Sequence, residues 1–105
     1  MPAPCNTEKE KLKIITEIVA DHYQLPISSI FSKGRINNAV YARGVCCYIA
    51  CSLDIHTQPV SDYYGRERSN VSHHKSMVNQ VISVDLEFRK TVFSLINKVH
   101  AQLIR

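Results

Sequence analysis

The run Gly65-Arg66-Glu67-Arg68-Ser69-Asn70-Val71-Ser72-His73 lines up groups able to grip a polar, anionic partner. Two guanidiniums offer forked donors, a carboxylate accepts, and a serine and an asparagine do both. A glycine leads the run, just after Tyr63 and Tyr64, and Val71, Val78, Val81 and Ile82 follow at helical spacing. This pattern predicts a helix from about Arg66 to Ile82, with a polar, exposed first turn and a far end packed in a core. Base edges and phosphates in a DNA major groove suit such a turn. Catalysis suits it poorly. His73 and His74 lack a carboxylate or nucleophile at a recognisable spacing, so they are expected to pack on neighbouring helices or approach a DNA backbone, and no enzyme activity is expected.

A turn of this kind needs elements to hold it. Asn6 or Thr7 can cap a first helix, with Glu8 and Glu10 at its positive end and Leu12, Ile15, Ile18, Val19 and Tyr23 as its apolar stripe. Pro26 ends that helix. A short helical turn follows at Ile27–Phe31, then a basic polar loop, Ser32-Lys33-Gly34-Arg35-Ile36-Asn37-Asn38. The third helix, from about Ala39 to Leu53, is apolar on nearly every side, which marks a central helix wrapped by its neighbours. Thr57 caps a short fourth helix with Pro59 in its first turn and Val60 and Tyr63 pointing inward. Asp85 opens a last helix through Phe88, Val92, Leu95, Ile96, Val99 and Leu103. No run alternates with period two over strand length. The expected fold is all-α, with six helices. The fourth helix, the glycine turn and the fifth helix form a helix-turn-helix, with the fifth as its recognition helix. Residues 1–6 read as a disordered lead-in and 7–105 as one domain.

The charge is placed to match. The chain has 105 residues, enough for one small core, and a net charge of +4. Between Ser32 and Lys75 the cations are Lys33, Arg35, Arg43, Arg66, Arg68 and Lys75, against only Asp54, Asp62 and Glu67. A basic middle implies an anionic partner. The longest apolar run, Ala39 to Ala50, is interrupted by Arg43 and too short to span a bilayer. The start of the chain lacks the basic-then-apolar order of a signal peptide, so a cytoplasmic location with reduced thiols is expected. Cys47 and Cys51 are spaced i, i+4, but Cys46, Cys47 and Cys51 fall in the most apolar helix, where cysteine serves as a small hydrophobe. No CxxC pair occurs, and neither metal nor cofactor is expected.

Two separated motifs then carry a resemblance. Ser32-Lys33-Gly34-Arg35, Arg43 and the apolar positions Val45, Tyr48, Ile49, Ala50 and Leu53 resemble the start of the C-terminal DNA-binding domain of the bacterial replication initiator DnaA. That domain is a helix-turn-helix of Trp-repressor-like type. Its hallmark, Gly-Arg-Asp-His-Thr-Thr-Val followed two residues later by histidine, is similar to Gly65-Arg66-Glu67-Arg68-Ser69-Asn70-Val71 and then His73. The resemblance covers roughly residues 12–104. It implies that Arg35 enters the minor groove and that Lys33 and Arg43 hold phosphates or nearby base edges. It implies further that Arg66, Glu67, Arg68, Ser69 and Asn70 face the major groove, with Val71 turned to the core.

The departures fall where bases are read. Glu67-Arg68 and Ser69-Asn70 stand where the family has Asp-His and Thr-Thr, so a different target or relaxed specificity is expected. Arginine at 68 favours guanine, and Asn70 can pair adenine. Gly34, Asn37 and Gly44 replace two arginines and a glutamine, which thins the grip on the backbone. No Gly-rich loop ending in Lys-Ser/Thr is present, so the chain is expected to be a free-standing relative or a piece of a longer protein; Met1 and its lead-in favour the former. The function expected is sequence-selective binding of double-stranded DNA, in transcription regulation or control of replication initiation. The alternative is an adaptor of the same fold that binds replication or transcription proteins, motivated by the thinned basic surface.

Overall fold

Six helices account for the described residues of this computed structural model, which are 8–31 and 37–103, with side chains described from Val40 onward in the second stretch. No strand occurs among them. The lead-in, the Asn6/Thr7 cap, and Lys33 and Arg35 lie outside the described residues.

Helix α1 (Glu8–Tyr23) buries Leu12, Ile15, Thr16, Val19 and Ala20 along one stripe. It stops at Gln24, whose φ is +55°, and the Leu25 N–H returns 2.9 Å to the Ala20 carbonyl ahead of Pro26. Helix α2 (Ile27–Phe31) follows, and then α3 (Asn37–Ser52). Along α3, every residue from Ala42 to Cys47 is buried, as are Ile49 and Ala50. It is the central helix that its all-round apolarity predicts, packed on α1 and most extensively on α5. Burying such side chains is worth about 1.5–3 kcal/mol each, which is why α3 can carry everything else.

Helices α4 (Thr57–Tyr64) and α5 (Arg68–Val84) form the expected helix-turn-helix, and α6 (Leu86–Leu103) closes the core with Val92, Leu95 and Val99. Asp85 serves two helices. Its N–H bonds the Val81 carbonyl at the end of α5 (2.8 Å), and its Oδ1 accepts from the Phe88 N–H (3.1 Å) at the start of α6. Arg89 donates from Nε to the Ile82 carbonyl (3.2 Å), satisfying another of α5's terminal acceptors. No helix of the described residues is long and apolar enough to cross a membrane.

Several local expectations need correction. Helix α3 begins at Asn37, so Asn37 and Asn38 belong to it rather than to the loop after α2. His56, not Thr57, is the N-cap of α4, and it makes no side-chain capping bond. The recognition helix starts at Arg68 rather than Arg66, because Gly65, Arg66 and Glu67 are all spent on the turn. On α4 the deeper tyrosine is Tyr64, 3% exposed, while Tyr63 is only half-buried. Tyr64 lies one turn beyond Val60 on the same face, and its hydroxyl finds a buried partner, described next.

Candidate nucleic-acid interface

Helix α4 must end abruptly for a second helix to cross it, and Gly65 makes the stop. Its φ of +65° and ψ of +36° lie in the left-handed region, where a side chain is strained. Ser61 then pins the turn from both sides. Its carbonyl accepts from the N–H groups of Gly65 and Arg66, the latter at 3.0 Å, and its hydroxyl donates to the Arg66 carbonyl in a very short contact. Glu67 is extended at the N-cap of α5, its side chain makes no capping bond, and its carbonyl takes the Val71 N–H (3.1 Å).

This geometry sorts the run of polar residues. Glu67, Arg68, Ser69 and Asn70 are exposed on consecutive positions of the N-cap and first turn of α5, Arg66 is half-buried behind them, and Val71, 1% exposed, is locked in the core. The turn is thus anchored at Ser61 and Val71, and from Glu67 to Asn70 it faces solvent. No acid occurs in the first turn of α5, so its positive end is balanced by Glu67 alone at the N-cap. Ser72, His73 and Ser76 continue the exposed side of the helix.

The support behind the turn is part polar. The Thr16 hydroxyl donates to the Leu12 carbonyl (2.7 Å), so at 2.7 Å the Tyr64 hydroxyl donates to Thr16 Oγ1, tying α4 to α1. Burial pushes the Tyr64 phenol well above its usual range, so it remains a donor. Phe31, the last residue of α2, packs its ring 5.5 Å from those of both Tyr63 and Tyr64. Cys46 and Cys47 are buried on α3. Burial raises both thiols, Cys47 to about 12, which leaves them neutral hydrophobes. No group of three or more His, Cys, Asp and Glu side chains with metal-binding geometry occurs among the described residues.

Arg43 is where the arrangement departs from the sequence expectation of a phosphate contact. It is 4% exposed, with Nε donating to the Ile30 carbonyl (2.9 Å) and Nη2 to the Ser29 carbonyl (3.2 Å). Burial, then the neighbouring Arg66 charge, lower its pKa from the ordinary guanidinium value. Gly44 likewise has a packing role that its reading as a lost backbone contact omits. A Cβ there would lie 2.9 Å from Val78 Cγ2 and 3.1 Å from Met77 Cε, so the glycine lets α5 sit close on α3. A glycine inside a helix costs about 1 kcal/mol relative to alanine, and that cost is the signal that it serves packing. Ser61 gave no comparable signal, since a serine in a short helix is common. His74, on the inner side of α5, is held below the usual histidine value by burial, then by Arg43, His73 and Arg66.

The described geometry has counterparts among known proteins. Residues 12–78 match the family model of the bacterial dnaA protein helix-turn-helix. The chromosomal replication initiator protein DnaA of Sulfurimonas denitrificans is 33% identical over 90 residues, which is 84% of this chain and 21% of that protein. The same protein of Campylobacter concisus is 32% identical over 94 residues (88% and 22%), and that of Deinococcus deserti 30% over 98 residues (92% and 21%). The chain spans about a fifth of the length of these relatives.

Proposed function

The chain belongs to the bacterial DnaA helix-turn-helix family, and on that premise we propose that it binds double-stranded DNA sequence-selectively, with the first turn of α5 in the major groove. One observation supports this most: four consecutive polar residues, Glu67 to Asn70, are exposed on a turn fixed at both ends by Ser61 and Val71. Side chains that read bases must be presented on a rigid frame, since ordering a loose segment on binding costs affinity. Arg68 is placed to bond guanine O6 and N7, Asn70 to bond adenine, and Glu67 to accept from a base amino group. Arg66, half-buried and behind the turn, reaches the groove edge or a phosphate. Lys33 and Arg35 supply the minor-groove and backbone contacts, and most of the affinity comes from phosphates. Such binding serves control of replication initiation or transcription, in the cytoplasm and without catalysis.

In vitro selection from a random duplex pool is the test. Enrichment of one motif, with affinity falling as salt rises, is the expected result. The motif's symmetry would also report whether one or two copies bind. An affinity indifferent to salt, or no binding across the pool, would sink this reading and leave the adaptor role.

A further inference from the structure

We infer that Arg43 and Gly44, neighbours on α3, form a positioning pair that fixes the recognition helix relative to α2, without either residue touching DNA. The inference rests on the DNA-binding reading above. Helix α2 is five residues long, too short to hold itself. Arg43 braces it, with two separate nitrogens bonding the consecutive carbonyls of Ser29 and Ile30. The chain leaves α2 one residue later, at Phe31, whose ring lies against Tyr63 and Tyr64 of α4. The end of α2 is therefore tied to α3 by hydrogen bonds and to α4 by ring packing. On the next residue, Gly44, α5 makes its close approach, with Val78 Cγ2 2.9 Å from where a Cβ would stand and the His74 carbonyl at 3.5 Å. A single turn of α3 thus sets where α2 and α5 lie. The recognition turn reads a groove only while the helices that frame it hold their spacing, so this turn of α3 controls discrimination between sites without supplying contacts.

Lysine at 43 provides the decisive variant. It keeps the charge and most of the volume, and loses the planar fork that bonds two carbonyls at once. Arg43→Lys is expected to lose about tenfold or more in the ratio of selected-site to random-duplex affinity. The slope of log affinity against log salt should stay unchanged, whereas loss of a phosphate contact lowers it by about 0.9. Gly44→Ala should reduce the same ratio, again with the slope kept. In the DNA-free protein, Arg43→Lys should speed amide hydrogen exchange at Ser29–Phe31 and leave α6 unchanged. Retention of the full ratio by Arg43→Lys would overturn the inference, because charge alone would then suffice; so would a slope falling by about one in Arg43→Gln. If Arg43→Gln does not fold, the lysine variant decides alone. Failure of the wild type to bind any duplex would instead refute the DNA-binding reading, and the exchange measurement would still judge whether Arg43 holds α2.

Discussion

Arg43 and Arg68 carry the same guanidinium on two adjacent helices, α3 and α5, and the structure puts them to opposite uses. Arg68 stands exposed in the first turn of α5, on a frame that leaves its donors to solvent or to a ligand. Arg43 is buried on α3, with its donors directed at the carbonyls of Ser29 and Ile30. The same contrast holds for the regions around them. The turn from Glu67 to Asn70 is polar, outward and free to vary in residue type, because its backbone is fixed by Gly65 and Ser61 and not by its own side chains. The stretch from Ala42 to Ala50 tolerates little, because all of it but Tyr48 is buried in a helix that packs on α1, α2, α4, α5 and α6. Presentation and support are therefore separable, and substitutions should move one property without the other.

The largest effect that would sharpen this contrast is expected on the support side. Ile49 is fully buried on α3, and Ile49→Ala should cost about 2–5 kcal/mol of stability through lost contacts and a residual cavity. The fraction that remains folded should bind its preferred duplex with wild-type specificity. Urea unfolding followed by competition binding checks both halves. A variant of normal stability, or a folded one with altered site preference, would show that support and presentation are not separate.

The sequence made the order of the elements far more legible than the contacts between them. Periodicity, together with caps and turn residues, located the six helices, because apolar residues at positions such as Leu12, Ile15 and Val19 or Val92, Leu95 and Val99 recur at the helical repeat. Gly65 marked the turn because few residue types adopt a positive φ there. Boundaries were less clear. Nothing in the residue types says that Arg66 and Glu67 are consumed by a turn, a fact set by what Ser61 bonds. Arg43 shows a related limit. Two of its hydrogen bonds go to main-chain carbonyls 13 and 14 residues back, invisible to any side-chain pattern. Gly44 showed what it had lost relative to the family, whereas its role lies in how closely α5 approaches.

A smaller effect, and one of a different kind, is expected on the presentation side. Arg68→Ala should leave stability within about 0.5 kcal/mol, as for most exposed positions. It should cost about 1–3 kcal/mol of binding on the preferred duplex and relax preference at one base pair. Binding isotherms on the selected site and on variants with each pair exchanged would measure this. Equal losses on every sequence would place Arg68 on a phosphate and move the reading positions elsewhere in the turn.

The smallest effect tests whether the boundary between the two regions runs through α5 itself. His73 is exposed and belongs to the outer side; His74, one residue on, is half-buried beneath the turn, with Nδ1 buried and no hydrogen-bond partner for it among the described residues. Burial first, and then the charges of Arg43, His73 and Arg66, hold the His74 imidazole below its usual value, so the native state favours the neutral ring. The unfolded chain takes up a proton near the ordinary histidine value of about 6.5. As the pH drops through that value, the unfolded state gains a proton that the native state refuses, and stability declines until the lower native pKa is reached. Above that value the group contributes no slope. His74→Gln should therefore flatten the loss of stability between about pH 7 and pH 5. Urea midpoints measured across that range check this. Parallel curves for the wild type and His74→Gln would mean that the ring is solvated like its neighbour, and the line between support and presentation would then lie deeper than α5.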